Sequence, residues 1–339
     1  MKNTESYIVK AYQVLKTGQP AVINEIVRPV PGKAEVLLEI AACGLNFADL
    51  LMQAGTYQQT PDTPFTLGME LAGTVVECGD NVTTLSPGDR VAVFSGSGGL
   101  AEFGCFAEKQ CTQLPETMPF QVAAAFQVAY GTSHLALHHR ARITSDDTVL
   151  VLGASGGVGL TAIEIAKLAG ASVIAVARGK NKLKIARAAG ADHLIDSETG
   201  DLRAQVLALG GASVVYDPVG GSQFNSALRA CKPEARVITI GFASGDVPQI
   251  PANIILVKNI TVIGMYWGGY LSFNAQAMTD SLQALFNLYA DGKLRPHISK
   301  VFQLDQAREA LEMLQSRKST GKVVVTPRPA LLGVEMPGE

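Results

Sequence analysis

The stretch from Thr148 to Asp196 constrains the fold of this chain more than any other. Thr148 to Leu152 (T-V-L-V-L) is a short apolar run rich in β-branched residues, the length of a buried parallel strand. It ends in Gly153-Ala154-Ser155-Gly156-Gly157-Val158-Gly159. Beyond it Val158, Ala162, Ile165 and Leu168 recur at helical spacing up to a stop at Gly170. A second strand is predicted at Ser172 to Ala177, so the whole reads as strand, glycine turn, helix, strand. Such a turn needs glycine because the chain must reverse sharply. Its backbone must also come close enough for the amides of a helix N-terminus to hold a pyrophosphate. The spacing here is G-x-x-G-G-x-G, one residue longer before the glycine pair than G-x-G-x-x-G. The flanking strand, helix and second strand therefore carry the dinucleotide reading more than the fingerprint does. Ser155, Gly156, Gly157, Val158 and Gly159 are the predicted contacts.

The end of the second strand indicates which dinucleotide is bound. A site for NAD has an Asp or Glu about 20 residues beyond the glycines, on the ribose 2′-hydroxyl. This chain has Ala177-Arg178-Gly179-Lys180-Asn181-Lys182-Leu183-Lys184, four cations and no acid. Arg and Lys give a 2′-phosphate charge-assisted hydrogen bonds worth about 1.5–3 kcal/mol each, enough for ten-fold selectivity. Arg178 and Lys182 are the candidates, while Lys180 and Lys184 read as a solvated helix face. The expected cofactor is NADPH rather than NADH.

With 339 residues the chain has room for about two domains. A net charge of −2 indicates neither a nucleic-acid groove nor a basic membrane-seeking face. No apolar run reaches the roughly 18 residues of a membrane span, since Ile254 to Leu271 is interrupted by Lys258 and Asn259. The first residues lack a signal-peptide core, and five scattered cysteines, never C-x-x-C, argue against a disulfide framework or a cysteine-rich zinc lobe. A cytoplasmic setting is expected. Residues 1 to about 125 carry short predicted strands (Tyr12 to Val14, Ala21 to Glu25, Glu35 to Ala41, Gly73 to Cys78, Asp89 to Val93) between Pro- and Gly-bearing turns, the pattern of a partly closed β domain. Phe120 to Ala141 reads as helical. After the first unit, strands are predicted at His193 to Asp196, Val214 to Asp217, Arg236 to Gly241 and Ile260 to Met265, which makes six, the count of a full dinucleotide-binding sheet.

The chain resembles the medium-chain dehydrogenase/reductase superfamily over nearly its whole length, and within it the zinc-free quinone oxidoreductases of the zeta-crystallin group. The carrying stretches are A-C-G-L-N-F-A-D-L at 42–50, G-T-Y at 55–57, T-L-G-M-E-L-A-G-T-V at 66–75, G-A-S-G-G-V-G at 153–159, Y-D-P-V-G-G at 216–221 and G-K-V-V-V at 321–325. The resemblance implies an α/β fold, a doubly wound Rossmann sheet plus a GroES-like, mainly β catalytic domain. Expected boundaries are 1–125 for the first part of the catalytic domain, 126–265 for the NADPH-binding domain, 266–328 for the return and 329–339 for a flexible tail. Where zinc alcohol dehydrogenases of the superfamily carry their first zinc cysteine this chain has Asn46, and where they have G-H-E it has Gly68-Met69-Glu70. An amide and a thioether are poor replacements for thiolate and imidazole, so no metal is expected. His134 and His138 stand at i, i+4, but without an H-E-x-x-H glutamate they read as part of a packing helix.

Without a Lewis acid, the expected acceptor is already electrophilic: a quinone, or a conjugated enone or enoyl thioester. The resemblance implies Asn46 near the nicotinamide ribose and substrate, with loop capping as its alternative. It implies Tyr57 over the acceptor, where a phenol of pKa about 10 can hydrogen-bond a developing oxyanion; the alternative is an aromatic core or lid residue. Thr132, Gly241 and Phe242 resemble cofactor-lining positions. Trp267 either walls the cleft or packs the core. The family also implies a homodimer paired through the last Rossmann strand. An enoyl thioester or alkenal reductase, and a non-catalytic NADPH-binding protein of crystallin or sensor type, remain alternatives on the same fold.

Overall fold

The structure is a computed structural model that describes residues 7–328. The tail expectation, 329–339, lies outside them. The chain forms two compact units. One takes the described residues up to Gln127 and resumes at Ile298, and the other runs from Val128 to His297.

The first unit is built on the strand Glu35–Leu45, whose eleven residues are almost all buried. It pairs antiparallel with Glu70–Cys78, Phe103–Ala107 and Lys322–Thr326 in a seven-stranded sheet. A three-stranded sheet of Val22–Val27, Ile8–Val14 and Phe65–Thr66 accompanies it. Val36, Leu38, Ile40, Leu71, Val75, Val91 and Val93 form one apolar cluster, and a buried side chain of this kind contributes about 1.5–3 kcal/mol. The five strands predicted from sequence here are present, most of them longer. Phe65–Thr66, Phe103–Ala107 and Cys111–Gln113 were not predicted, being short and without a clear alternation.

The second unit holds a six-stranded, all-parallel sheet in the order His193–Asp196, Ser172–Ala177, Thr148–Val151, Ala212–Asp217, Cys231–Thr239, Thr261–Gly264. In chain order this is third, second, first, fourth, fifth, sixth, the doubly wound arrangement. The first strand therefore lies between the second and the fourth. Leu150, Ile174, Val176, Val215 and Val237 are fully buried because helices cover both faces of such a sheet. The stretch Phe120 to Ala141 is helical as expected, in three pieces: Phe120–Ala124, Gln127–His134 and a π-helical Leu135–Arg140.

One boundary differs from expectation. Residues 266–297, expected to return to the catalytic domain, lie in the second unit, where the helix Ala275–Ala290 presents Ser281 Oγ to His134 Nδ1 at 2.8 Å. Pattern alone identifies this helix but not the face it covers. The chain rejoins the first unit only at Ile298–Gln303, which pairs with Lys322–Thr326.

Candidate functional site

In the second unit the glycine turn leaves the end of the central strand. Gly156 is the N-cap of the helix Gly157–Leu168 and has no side chain to cap it. The first helical bond runs from Leu160 N–H to Gly156 O at 3.0 Å. The amides of Gly157, Val158 and Gly159 thus precede the helical ladder and face outward as donors, at the positive end of a three-turn helix. A Cβ on Gly159 would stand 2.3 Å from Gly153 O and 2.8 Å from Ala154 Cα, so helix and strand end touch through backbone alone. Ser155 is buried beside them.

The same edge of the sheet gathers the ends of the fourth and fifth strands. A Cβ on Gly153 would meet Val219 Cγ2 at 2.9 Å. Asp217 Oδ1 accepts from the amides of Val219 (2.7 Å) and Gly220 (2.9 Å). The segment of Gly241 and Phe242 runs alongside, with Ile240 N–H donating to Asp217 O at 2.8 Å and Ala243 N–H to Pro218 O at 3.0 Å. Gly153, Val219, Gly241 and the half-exposed Phe242 therefore share the carboxyl edge at the point where strand order reverses, the position at which open α/β sheets bind ligands.

Thr132 is buried on the helix Gln127–His134. Its neighbour Ser133 places Oγ 2.7 Å from Thr161 Oγ1 and 3.0 Å from Tyr216 OH. Thr161 Oγ1 also donates to Ala129 O at 3.0 Å, which ties this helix to the one that starts at the glycine turn. Trp267 is 4% exposed and lies on Gly131, where an added Cβ would be 2.7 Å from the indole ring. Of its two sequence readings, wall or core, the indole is packed in the interior of its unit against the helix that carries Thr132.

Arg178 is the N-cap of the helix Gly179–Ala188 and is exposed, and Lys182 is half-buried one turn on. This corner, acid-free in the local sequence, is supplied with carboxylates by the end of the neighbouring strand and the turn after it. Ala177 is in register with Asp196, whose Oδ1 accepts from Gly179 N–H and Glu198 N–H, both at 3.1 Å. Glu198 Oε1 stands 3.4 Å from Arg178 Nε.

Asn46 and Tyr57 belong to the first unit. The strand Glu35–Leu45 lies between Lys322–Thr326 and Glu70–Cys78, with Val323 opposite Leu45 and Glu70 opposite Gly44. That register brings Lys322, Asn46 and Glu70 to one end of three adjacent strands. Lys322 Nζ donates to Leu45 O, Asn46 Oδ1 and Glu70 Oε1, each at 2.7 Å. Asn46 Nδ2 donates to Glu70 Oε1 at 2.9 Å. The amide is thus fixed in both orientation and identity by a charged pair of which Glu70 is fully buried and Lys322 nearly so. Asn46 is also the N-cap of the helix Phe47–Ala54. Its backbone N–H donates to Asp49 Oδ2 at 2.8 Å, and its side chain turns away toward Glu70. Burial pushes the Asp49 carboxyl up to about 6, opposed by its bond to the Asn46 amide and by Lys322. Cys43, buried beside Asp49 and Glu70, is pushed well up by desolvation and stays a thiol. Tyr57 is half-buried, and its carbonyl accepts from Thr60 Oγ1 at 3.0 Å. Sequence reasoning passed over Lys322 and Glu70, and the available signal was a charge in each of two otherwise apolar strand segments, G-K-V-V-V and G-M-E-L-A-G.

The rings of His134 and His138 lie 4.8 Å apart between centroids, tilted by 57° to one another. Among the described residues no three His, Cys, Asp or Glu side chains are grouped so as to hold a metal ion. Burial, then the neighbouring His138, pushes His134 down to about 4 from 6.5. Between those values the unfolded chain takes up a proton that the folded chain refuses. The stability from neutral His134 is therefore complete above about pH 6.5 and is lost as pH falls toward 4. Asp49 has the opposite sign, its contribution being lost as pH rises through about 6. His134→Gln, which can keep a bond to Ser281, is expected to flatten the fall in melting temperature from pH 6.5 to 5. A slope unchanged from the parent would contradict this.

Two family models match the chain: an alcohol dehydrogenase GroES-like domain over residues 32–116 and a zinc-binding dehydrogenase over residues 157–285. A quinone oxidoreductase-like protein 2 from Bos taurus is 40% identical over 313 residues, covering 91% of this chain and 89% of that one. A synaptic vesicle membrane protein VAT-1 homolog from Homo sapiens is 31% identical over 319 residues, covering 89% and 81%. The crystal structure of an Escherichia coli quinone oxidoreductase complexed with NADPH superposes with a TM-score of 0.86 at 27% identity, over 95% of this chain and 100% of that one. With a GroES-like β unit, a Rossmann sheet wound about a glycine turn, and an amide and a thioether where the zinc dehydrogenases carry metal ligands, this chain belongs to the zinc-free quinone oxidoreductase family of medium-chain dehydrogenases/reductases.

Proposed function

We propose that this protein is an NADPH-dependent, zinc-independent oxidoreductase that reduces quinones or related conjugated carbonyls. The observation that carries the reading is the glycine N-cap at the sheet's switch point. There three first-turn amides precede the helical ladder, and Gly159 lets the helix rest on backbone. A pyrophosphate fits that cradle, since it brings negative charge to a helix N-terminus and hydrogen-bond acceptors to amides that need them. Ser155, Gly156, Gly157, Val158 and Gly159 would hold it. Arg178 and Lys182 would take the 2′-phosphate, and Thr132, Gly241 and Phe242 would serve the nicotinamide end, with Trp267 behind them supporting the helix that carries Thr132. NADPH supplies the hydride when bound.

The remaining roles fall to this chain's own side chains. Asn46, with both ends of its amide pinned by Lys322 and Glu70, offers a fixed dipole rather than a rotatable one. Tyr57 would donate its phenolic hydrogen to the acceptor oxygen as charge develops there. The amide and thioether at positions 46 and 69 provide no zinc site, so the acceptor must be electrophilic without a Lewis acid. In support, the solved Escherichia coli relative is complexed with NADPH and the bovine relative is named quinone oxidoreductase-like.

We also propose a homodimer through the edge strand Thr261–Gly264, beside which Leu256 and Val257 are each 76% exposed. The likeness to a VAT-1 homolog gives the non-catalytic NADPH-binding reading a specific basis, because family membership extends to proteins not named as enzymes. NADPH oxidation measured with 1,4-benzoquinone, 9,10-phenanthrenequinone and crotonyl-CoA separates these readings. Turnover of a quinone is expected. Turnover of crotonyl-CoA alone would move the substrate class to enoyl thioesters, and tight NADPH binding without turnover would assign a sensor. Sedimentation at monomer mass would remove the dimer.

A further inference from the structure

We infer that Glu198 is an internal counter-anion that competes with the nucleotide 2′-phosphate for Arg178, and so restrains this protein's preference for NADPH over NADH. The inference rests on the NADPH reading above. The corner after Ser172–Ala177 has cations at the start of its own helix (Arg178, Lys180, Lys182, Lys184) and acids from the end of the next strand (Asp196) and the turn beyond it (Glu198). The two acids do different work. Asp196 is committed to backbone, accepting from Gly179 N–H and Glu198 N–H, and these bonds hold its carboxyl below the usual range. By bonding both amides through one oxygen, Asp196 pins the backbone of Glu198 against the start of the helix Gly179–Ala188.

Glu198 is thereby held where its carboxylate reaches Arg178 Nε at 3.4 Å, with both side chains more than half exposed. An exposed pair of this kind is weak and screened by salt, so a phosphate can displace it. The displaced carboxylate still remains beside the phosphate as a like charge. A 2′-hydroxyl suffers no such repulsion. Glu198 therefore penalises NADPH selectively, and Arg178 is the group through which it does so.

The test is calorimetric titration of the full chain with NADPH, NADH and 2′,5′-ADP at two salt concentrations. Glu198→Gln, which removes the charge and keeps the shape, is expected to tighten NADPH and 2′,5′-ADP by roughly three- to ten-fold at low salt. NADH should stay within about two-fold, and the gain should shrink at high salt. In an Arg178→Gln background the same substitution should give little gain. An unchanged NADPH-to-NADH ratio in Glu198→Gln, or a loss of NADH affinity that would mark Glu198 as a ribose ligand, overturns the inference while wild-type NADPH binding leaves the functional reading intact. Wild-type protein that binds neither nucleotide would overturn both.

Discussion

Lys322→Met is expected to destabilise the first unit by about 3–5 kcal/mol, the cost of leaving a buried carboxylate without its counter-charge. Glu70 is fully buried, and Lys322 Nζ is its ion-pair partner at 2.7 Å. All three ammonium donors are spent inside the protein, on Leu45 O, Asn46 Oδ1 and Glu70 Oε1. Met matches the stem of Lys and replaces none of these bonds. The defect is electrostatic rather than a matter of packing, so Glu70→Gln in the same chain should recover most of the loss by removing the stranded charge. Urea unfolding of the two single variants and the double, at constant m-value, measures this. A Lys322→Met midpoint within error of the parent would show that the pair contributes nothing. The same variant releases one end of the Asn46 amide, so a catalytic deficit that persists in the stable double variant would trace to the orientation of Asn46.

What could be read from sequence and what could not divide along physical lines. The parallel sheet was legible because a strand buried on both faces is apolar at its centre, and Val149–Val151, Val173–Ala177 and Val214–Val215 within these strands are. The glycine turn was legible because only glycine permits its close approaches. Phe103–Ala107, with Gly104 and Cys105 at its centre, offers no alternation to detect. The Lys322–Glu70 pair joins residues 252 apart, and nothing local links them until strand register sets them side by side. Glu198 was hidden for the same reason, since the acid at the Arg178 corner comes from the turn after the next strand rather than from the segment in which a ribose-binding acid is sought. The return of the chain at Ile298 rather than 266 reflects a helix whose amphipathic pattern shows that one face is buried but not against what.

Gly159→Ala should produce the other large effect, and it separates the two duties of the glycine turn. Its new Cβ would sit 2.3 Å from Gly153 O, 2.8 Å from Ala154 Cα and 2.9 Å from Ala154 C, all backbone atoms at the end of the central strand. None can rotate away, so the helix Gly157–Leu168 must lift from the sheet. Overpacking of this kind costs about 1–3 kcal/mol, against which Ala in a helix returns at most about 1 kcal/mol over Gly. A net loss of stability is expected, together with at least about a ten-fold loss of NADPH affinity as the first-turn amides move off the pyrophosphate. Gly156→Ala provides the contrast. Its φ of −80° suits any residue, and its Cβ would meet only Gly153 O at 3.3 Å, so the melting temperature should hold. Nucleotide affinity should nevertheless fall, because a methyl group then stands at the N-cap where the phosphate must approach. If Gly159→Ala melts and binds NADPH as the parent does, the close approach of helix to strand is not what this turn requires of glycine. If Gly156→Ala also binds normally, the phosphate does not lie over this helix, and the cofactor reading loses its foundation.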